Sequence, residues 1–251
     1  MRRVEPRAAR ILRRTISWGI VLALLATGAL LAIGYARRHP EDLPWTQLDL
    51  TRPIGLFTGR KLAALRGEPD RCSPLLAAAG VAHRVLTPRE DGPHCGYRDA
   101  VRLEPGGARS VALRPAAPAL SCPVGAGLAL WEWHVVQPAA QRHLGTRVVA
   151  VDHLGSYSCR RVNNRTEGDW SEHASANALD IAGFQLADGK RVSVLADWSG
   201  DGAEAAFLRE VRDGACRLFA TVLSPDYNEA HRDHLHFDQA DRGAGGWRGC
   251  R

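Results

Sequence analysis

The sequence predicts an α+β domain, in which helices flank a mainly antiparallel sheet, preceded by one N-terminal transmembrane helix. Three patterns indicate this architecture. An uncharged apolar run covers residues 15–36, helix-like and strand-like segments intermingle beyond it, and all the cysteines follow it. About two hundred residues remain after the run, enough for one compact domain with a hydrophobic core of its own.

The N-terminus combines a basic segment, residues 1–14, with the apolar run. A helix over residues 15–36 can cross a hydrocarbon core of about 30 Å. Arginines crowd its N-terminal side, so the positive-inside rule leaves the N-terminus in the cytoplasm and the domain on the periplasmic or extracytoplasmic side. A cleavable signal peptide is the alternative. The run is longer than a typical signal core and lacks a clear cleavage site, so we expect an uncleaved single-pass anchor in the lipid bilayer of the cytoplasmic membrane.

The formal net charge of +6 does not indicate nucleic-acid binding. Nearly all of it lies before the apolar run, where only Glu5 opposes the arginines, and the rest of the chain is almost neutral. These arginines are Arg2, Arg3, Arg7, Arg10, Arg13 and Arg14. No DNA- or RNA-binding motif is present, and the sequence predicts no protein partner.

The cysteines are expected to form disulfides, because they are even in number, widely spaced and located on the exported side. They are Cys72, Cys95, Cys122, Cys159, Cys216 and Cys250. Six cysteines permit many pairings, and the sequence does not choose among them. We expect 72–95, 159–216 and 122–250, which would close one local loop, clamp the region of the candidate site and fix the C-terminus.

The first half of the domain is expected to be irregular at its start. Residues 37–70 form a Pro-rich tether and lead-in, with a short helix near Gly59–Arg66, and residues 72–111 form turns and brief strands. The strongest helix is predicted at Val124–Leu144, with Pro123 near its first turn and Gly145 just past its end. Pro138 is expected to kink that helix.

The second half of the domain is expected to supply most of the sheet. Strands are predicted at Thr146–Asp152, Ala178–Phe184, Arg191–Leu195 and Cys216–Leu223, the second and third joined by a hairpin turn at Ala187–Lys190. A helix is predicted at Ala203–Arg212, with Asp201 as N-cap and Glu204 completing a capping box.

Two segments, residues 171–180 and 231–236, hold the candidate functional residues. Asp180 is the one charge in an apolar strand, where a carboxylate needs a partner or a metal. His234 and His236 lie two apart in a strand-like segment and therefore project from one face. Each residue alone is more often an ordinary salt-bridge or hydrogen-bond former. Their clustering, and the mixture of nitrogen and oxygen ligands, favours a Zn²⁺ site shared by both segments.

The chain resembles two known groups of proteins. Ser171 to Asp180, together with His234 and His236, resembles the Ser-x-His-x-x-Gly-x-Ala-x-Asp and His-x-His signature of lysostaphin-type peptidases, D-alanyl-D-alanine metallopeptidases and hedgehog domains. Ala176 stands where that signature has glycine. From Leu43 to Arg251 the chain resembles the bacterial extensin-like C-terminal domain family. That resemblance rests on PWTQLDL, GLFTGRKLAAL, LSCPVGAGLALW, SEHASANALDIAGFQLADG, DGACRLFATVLSPDYN and HRDHLHFD, and it implies a zinc-peptidase-like domain over residues 71–251.

These resemblances imply roles for individual residues. His173, Asp180 and His236 would be the zinc ligands, and His234 would transfer protons beside the metal-bound water. The resemblance also implies His231 as a second catalytic imidazole and Arg160 as a substrate-binding residue. Asp233 faces opposite to His234 and His236 on the strand, so we expect it to orient a histidine rather than to bind the metal. Ser171 is expected to support the ligand segment.

Two functions follow as expectations. The first is a membrane-anchored zinc metallopeptidase, of carboxypeptidase or endopeptidase type, that hydrolyses peptide bonds in peptidoglycan stem peptides or crosslinks. The second is a non-catalytic, zinc-containing domain that binds or organises the cell wall. The presence of His231 and His234 beside the expected ligands favours the enzyme.

Overall fold

A computed structural model describes residues 7–243 and 247–251. Helix α1 (Arg7–Arg38) contains the predicted apolar run and is long and apolar enough to span a membrane. None of its residues is buried against the rest of the structure. The first residues of the predicted basic segment, including Arg2 and Arg3, lie outside the described residues.

Short helices and strands make up the domain that follows. Its helices are α2 (Thr58–Ala63), α3 (Pro69–Ala78), α4 (Cys122–Trp131), α5 (Gln137–Leu144), α6 (Val194–Asp197) and α7 (Ala203–Ala215). Its strands are β1 (Val81–Val85), β2 (Arg89–Glu90), β3 (Gly96–Tyr97), β4 (Ala100–Gly107), β5 (Ala112–Arg114), β6 (Leu120–Ser121), β7 (Val148–Gly155), β8 (Ala178–Leu186), β9 (Arg191–Ser193), β10 (Thr221–Leu223), β11 (Leu235–Asp238) and β12 (Gly249–Cys250).

The main sheet has the strand order β12-β10-β11-β8-β7-β5, with β9 also paired to β8. Its central pairs are antiparallel, whereas β5 joins β7 and β12 joins β10 in parallel at the two edges. Strands β1, β4 and β6 form a smaller antiparallel sheet, and β2 and β3 form a separate ribbon. The predicted α+β class and the antiparallel centre of the sheet are confirmed.

An aromatic cluster joins helices α4 and α7 to the main sheet. Trp131 meets Phe237 edge to face at a ring-centroid distance of 5.1 Å, and Phe184 meets Phe207 in the same way at 4.9 Å. The Trp131 indole also donates a hydrogen bond to the Val211 carbonyl oxygen at 2.8 Å. Because side chains alternate along a strand, this packing turns the next residues of β8 and β11 towards the opposite face of the sheet.

The long helix predicted at Val124–Leu144 is interrupted. Helix α4 passes into one π-helical turn at Glu132–Val136 before α5 begins. Pro138 lies in the first turn of α5, where its missing N–H and its ring disturb the bonding of the preceding turn. The predicted irregularity of this helix is therefore present, but it lies in the turn just before Pro138. Gly145 ends the helix with φ 65°, as expected.

Helix α3 was missed, because its residues were assigned to a tether and to turns. Pro74 lies inside it, and an internal proline weakens a helix through the loss of one backbone hydrogen bond. Tertiary contacts compensate, since Leu76 is fully buried and Cys72 is bonded to another helix. The predicted brief strands are present, although β4 is longer than expected.

Several element ends also differ from prediction. Helix α7 has Gly202 at its N-cap without a side-chain cap, so the capping box of Asp201 and Glu204 is wrong. The strand predicted at Cys216–Leu223 covers only β10. Its first residues instead form a turn after α7, in which the Leu218 N–H donates to the Ala215 carbonyl oxygen. The strand after the hairpin stops at Ser193, whose hydroxyl accepts the Ala196 N–H and begins α6.

The disulfides link distant segments, and the three expected pairings are wrong. The bonds are Cys72–Cys122, Cys95–Cys159 and Cys216–Cys250, and none of the cysteines is free. Each pair has a Cα–Cα distance of 5.4–5.6 Å, within the range that a disulfide spans. The packing of α3 on α4 brings Cys72 and Cys122 together. The Cys95–Cys159 bond connects the β2–β3 ribbon to the segment before the candidate site, and the Cys216–Cys250 bond holds β12 in place.

Non-reducing peptide mapping tests this connectivity. Proteolysis of the native protein with free thiols blocked should give three crosslinked peptide pairs, joining 72 to 122, 95 to 159 and 216 to 250. Detection of a 72–95 or 159–216 crosslink by mass spectrometry would contradict the packing of α3 on α4 and of the ribbon on the site segment.

Candidate metal centre

The register between β8 and β11 creates the centre of the site. Asp180 lies directly opposite His236, and the neighbouring pair, Leu179 opposite Phe237, is buried in the core. Since adjacent residues of a strand face opposite sides, the Asp180–His236 pair must face away from that core. Two separate segments of the sequence thus place a carboxylate and an imidazole side by side.

His173 reaches the same point from a short 3-10 helix, Glu172–Ser175. The Ser171 hydroxyl accepts the His173 N–H at 3.3 Å and caps this turn. Ala176 then adopts φ 54°, a left-handed conformation that favours glycine. His173 itself is only 3% exposed.

Three ligand-type atoms converge between these elements. His236 Nδ1 lies 2.8 Å from Asp180 Oδ1, and His173 Nε2 lies 3.2 Å from Asp180 Oδ2 and 3.3 Å from His236 Nδ1. These atoms of His173, Asp180 and His236 lie within 4.8 Å of one another and could hold one metal ion.

The outer nitrogens of both imidazoles have oxygen partners. His173 Nδ1 donates to the Ser156 carbonyl oxygen at 2.5 Å, and His236 Nε2 donates to Asp238 Oδ2 at 3.1 Å. Such partners fix the ring orientation and leave the inner nitrogen free to bind a metal. With Nδ1 bonded to this carbonyl oxygen, the His173 ring directs Nε2 towards the Asp180 carboxylate and His236 Nδ1. The donor set therefore fits zinc.

The charges of the site are strongly coupled. Burial alone would lower the pKa of His236, but hydrogen bonds to Asp180 and Asp238 outweigh burial and raise its pKa to about 9. Burial alone would raise the pKa of Asp180, but hydrogen bonds from His173 and His236 hold it well below its usual value. Without a metal, the site is thus an ion pair in which a proton on His236 compensates the carboxylates.

Two further histidines flank the three ligand-type residues. His234 Nδ1 donates to Asp233 Oδ1 at 2.8 Å, while His234 Nε2 lies 3.6 Å from Asp180 Oδ1. The His231 ring lies 5.1 Å from the His234 ring, and its Nδ1 lies 2.7 Å from Asn228 Oδ1. Burial, together with the nearby histidines, lowers the pKa of His231 to about 4, so this imidazole is neutral at neutral pH.

An open cleft of about 1190 Å³ gives access to the site. Arg160 lines it, and its guanidinium group has no ion pair or hydrogen bond among the residues that the structure describes. The structure places every predicted site residue in or beside this cleft. His173, Asp180, His231, His234, His236, Ser171 and Arg160 line it, and Asp233 contacts it through His234.

Two contributors were missed from the sequence. Asp238 lies two residues beyond His236 on β11, so the same alternation that relates His234 to His236 could have identified it. Ser156 contributes only its backbone carbonyl, for which the sequence carries no signal.

Comparison with known proteins identifies the class of this domain. Fold and site together define an α+β domain with a His/Asp cluster of metal-binding type. The family model described as extensin-like protein C-terminus matches residues 70–251, well over half of the chain, and the chain belongs to this family. Neither the curated proteins nor the solved structures contain a match. The resemblance to zinc peptidases stays a prediction.

Asp238→Asn should lower the affinity for zinc about 10- to 100-fold, because the carboxylate that orients His236 is lost. Competition with a chromophoric chelator measures the change. Asp188→Asn is a matched control, since Asp188 lies in the exposed hairpin turn and its one charged contact among the described residues is Lys190. Equal zinc affinity for Asp238→Asn and the wild type would contradict the orienting role.

Zinc uptake by the metal-free protein should release a proton. With a pKa of about 9, His236 is protonated at pH 7 and must lose its Nδ1 proton before it can bind a metal. The apparent affinity should therefore rise roughly tenfold per pH unit below pH 9. Calorimetry in two buffers of different ionisation enthalpy measures the release, and uptake without a released proton at pH 7 would contradict the charge assignment.

Proposed function

We propose that this protein is a zinc metallopeptidase, anchored in the cytoplasmic membrane, that hydrolyses peptide bonds in peptidoglycan stem peptides or crosslinks. The observation that carries the proposal is the position of His234. Its outer nitrogen donates to Asp233, while its inner nitrogen faces the three ligand-type residues and lies 3.6 Å from Asp180 Oδ1. A histidine in this position can exchange a proton with a group bound between those residues.

In the proposal, His173, Asp180 and His236 hold the metal. Two imidazoles and one carboxylate form a ligand set found in catalytic zinc sites, which keep one position open for water. Zinc supplies a Lewis acid that brings the pKa of that water towards about 7. The burial of His173 and the partners of both imidazoles keep the ligands in place before any metal arrives.

His234 has the properties of a general base and acid. Because Nδ1–H donates to Asp233, the neutral ring carries its lone pair on Nε2, which faces the cleft. That nitrogen can accept a proton from the attacking water and pass it to the leaving amine. His231 is held in an equivalent way by Asn228, and its low pKa keeps it neutral and able to accept a hydrogen bond.

Arg160 supplies the substrate-binding charge. A guanidinium that has no partner among the described residues and lies in an open cleft suits a carboxylate or carbonyl group, to which arginine donates two parallel hydrogen bonds. Stem peptides of peptidoglycan carry such groups. The extracytoplasmic position that this substrate requires agrees with the disulfides and with an apolar α1.

His234→Ala should separate metal binding from catalysis. Zinc should remain bound through His173, Asp180 and His236, whereas turnover should fall at least about a hundredfold, because a general acid or base contributes about 10²- to 10⁴-fold. Metal analysis gives the zinc content, and mass spectrometry of digested peptidoglycan gives the turnover. His236→Ala is the comparison variant and should lose the metal.

The same experiment distinguishes the peptidase from the alternative function, a non-catalytic domain. If the wild type and His234→Ala were equally inert on every peptidoglycan fragment while both kept zinc, a non-catalytic wall-binding domain would replace the peptidase. If His234→Ala lost zinc as readily as His236→Ala, the assignment of base and ligand would be wrong.

A further inference from the structure

A second cavity, of about 370 Å³, lies beside the metal cleft and is rich in arginine. It is formed by α2 and the residues after it, by the segment that leaves β11, and by the segment that enters β12. Its charged and aromatic lining residues are Arg60, Arg66, Arg242, Arg248, Asp241 and Trp247.

Two of these arginines are partly buried without a carboxylate partner among the described residues. Arg248 donates to the Phe219 carbonyl oxygen at 3.0 Å and packs directly against Gly59, where a side chain would collide with its guanidinium. Arg242 lies 4.5 Å over the Trp247 ring and donates to the Thr221 hydroxyl, and its buried Nε has no partner in the described part of the chain. Positive charge is costly to desolvate, so two such groups in one cavity favour an anionic ligand.

The acidic groups nearby offset only part of the positive charge of the cavity. Asp241 lines it and accepts the Gly243 N–H at 2.8 Å, and Glu172 forms an ion pair with Arg66 at 3.4 Å, so Arg242 and Arg248 keep an excess of positive charge there. Gln239, which is 1% exposed, also lines the cavity, and its Oε1 has no hydrogen-bond partner in the described part of the chain. The cavity thus combines excess positive charge with one buried acceptor for an N–H group.

The arginine cavity and the metal cleft are adjacent. Ala240, Asp241, Arg242 and Trp247 line both of them. An extended ligand held in the metal cleft can therefore place a neighbouring group among the arginines. An acceptor for N–H and several guanidinium groups together match a peptide that carries a carboxylate close to an amide.

We infer that this cavity is a subsite for a free carboxylate of a peptide ligand whose backbone occupies the metal cleft. The inference rests on the proposed function, since it assigns a peptide to that cleft. Guanidinium groups bind a carboxylate through two parallel hydrogen bonds, and stacking on Trp247 holds Arg242 in position.

Peptide binding to the full-length, metal-free protein in detergent tests the subsite. The probes are a short peptide with one glutamate side chain and the same peptide with glutamine in its place. Arg242→Gln should weaken binding of the acidic peptide roughly tenfold, as expected for the loss of a charged hydrogen bond, and leave the amidated peptide unchanged. Arg71→Gln is the matched control, because Arg71 is exposed on α3 outside the cavity.

Arg248 provides a second variant, since its contacts with Phe219 and Gly59 also support the fold. Arg248→Lys keeps the charge and should retain more affinity for the acidic peptide than Arg248→Gln, with circular dichroism used to confirm that both fold. Equal affinity of the wild type for the acidic and amidated peptides would overturn the inference. Inorganic phosphate that outcompetes the acidic peptide in an Arg242-dependent way would also overturn it, by assigning the cavity to phosphate.

Hydrolysis assays keep the two proposals distinguishable. If the wild type binds the acidic peptide through Arg242 but cleaves no peptidoglycan fragment, only the proposed catalysis fails. If it cleaves fragments with a KM and kcat that Arg242→Gln leaves unchanged, only the subsite fails. A raised KM with kcat little changed is the expected result, because the subsite is remote from the bond that breaks.

Discussion

The antiparallel pairing of β8 with β11 is the interaction on which the site depends. This register places Asp180 opposite His236 and, one residue further along, Leu179 opposite Phe237. A slip by one residue would turn the charged pair into the core and the apolar pair into the cleft. The aromatic cluster of Trp131, Phe184 and Phe237 therefore stabilises the fold and the site geometry together.

The site is a group of buried charges whose partners lie within the group. Asp180 and Asp238 both contact His236, and the raised pKa of His236 is the electrostatic consequence. Buried carboxylates without a cation are costly, so either a proton or a metal must compensate them. The same arrangement that stabilises the metal-free fold could thus exchange a proton for a metal cation.

The residues around the three ligand-type side chains differ in role. His231, His234 and Arg160 line the open cleft, and the Ser156 carbonyl and Asp238 hold the outer nitrogens of His173 and His236. The disulfide between Cys95 and Cys159 ties the β2–β3 ribbon to the segment just before Arg160. The arginine cavity shares lining residues with the cleft and so extends the surface that an elongated ligand can contact.

Local patterns in the sequence determined the apolar helix, the strand character around Asp180 and His236, and the residue types of the site. They succeeded because strand alternation and helix termination depend on neighbours a few residues apart. The disulfide partners, helix α3, the parallel edges of the sheet and the role of Ser156 were decided by tertiary structure alone. Each of these depends on which distant segments pack together. In α3, Pro74 also obscured the local helical pattern. Burial of Leu76 and the Cys72–Cys122 bond outweigh that local penalty only when the whole chain is folded.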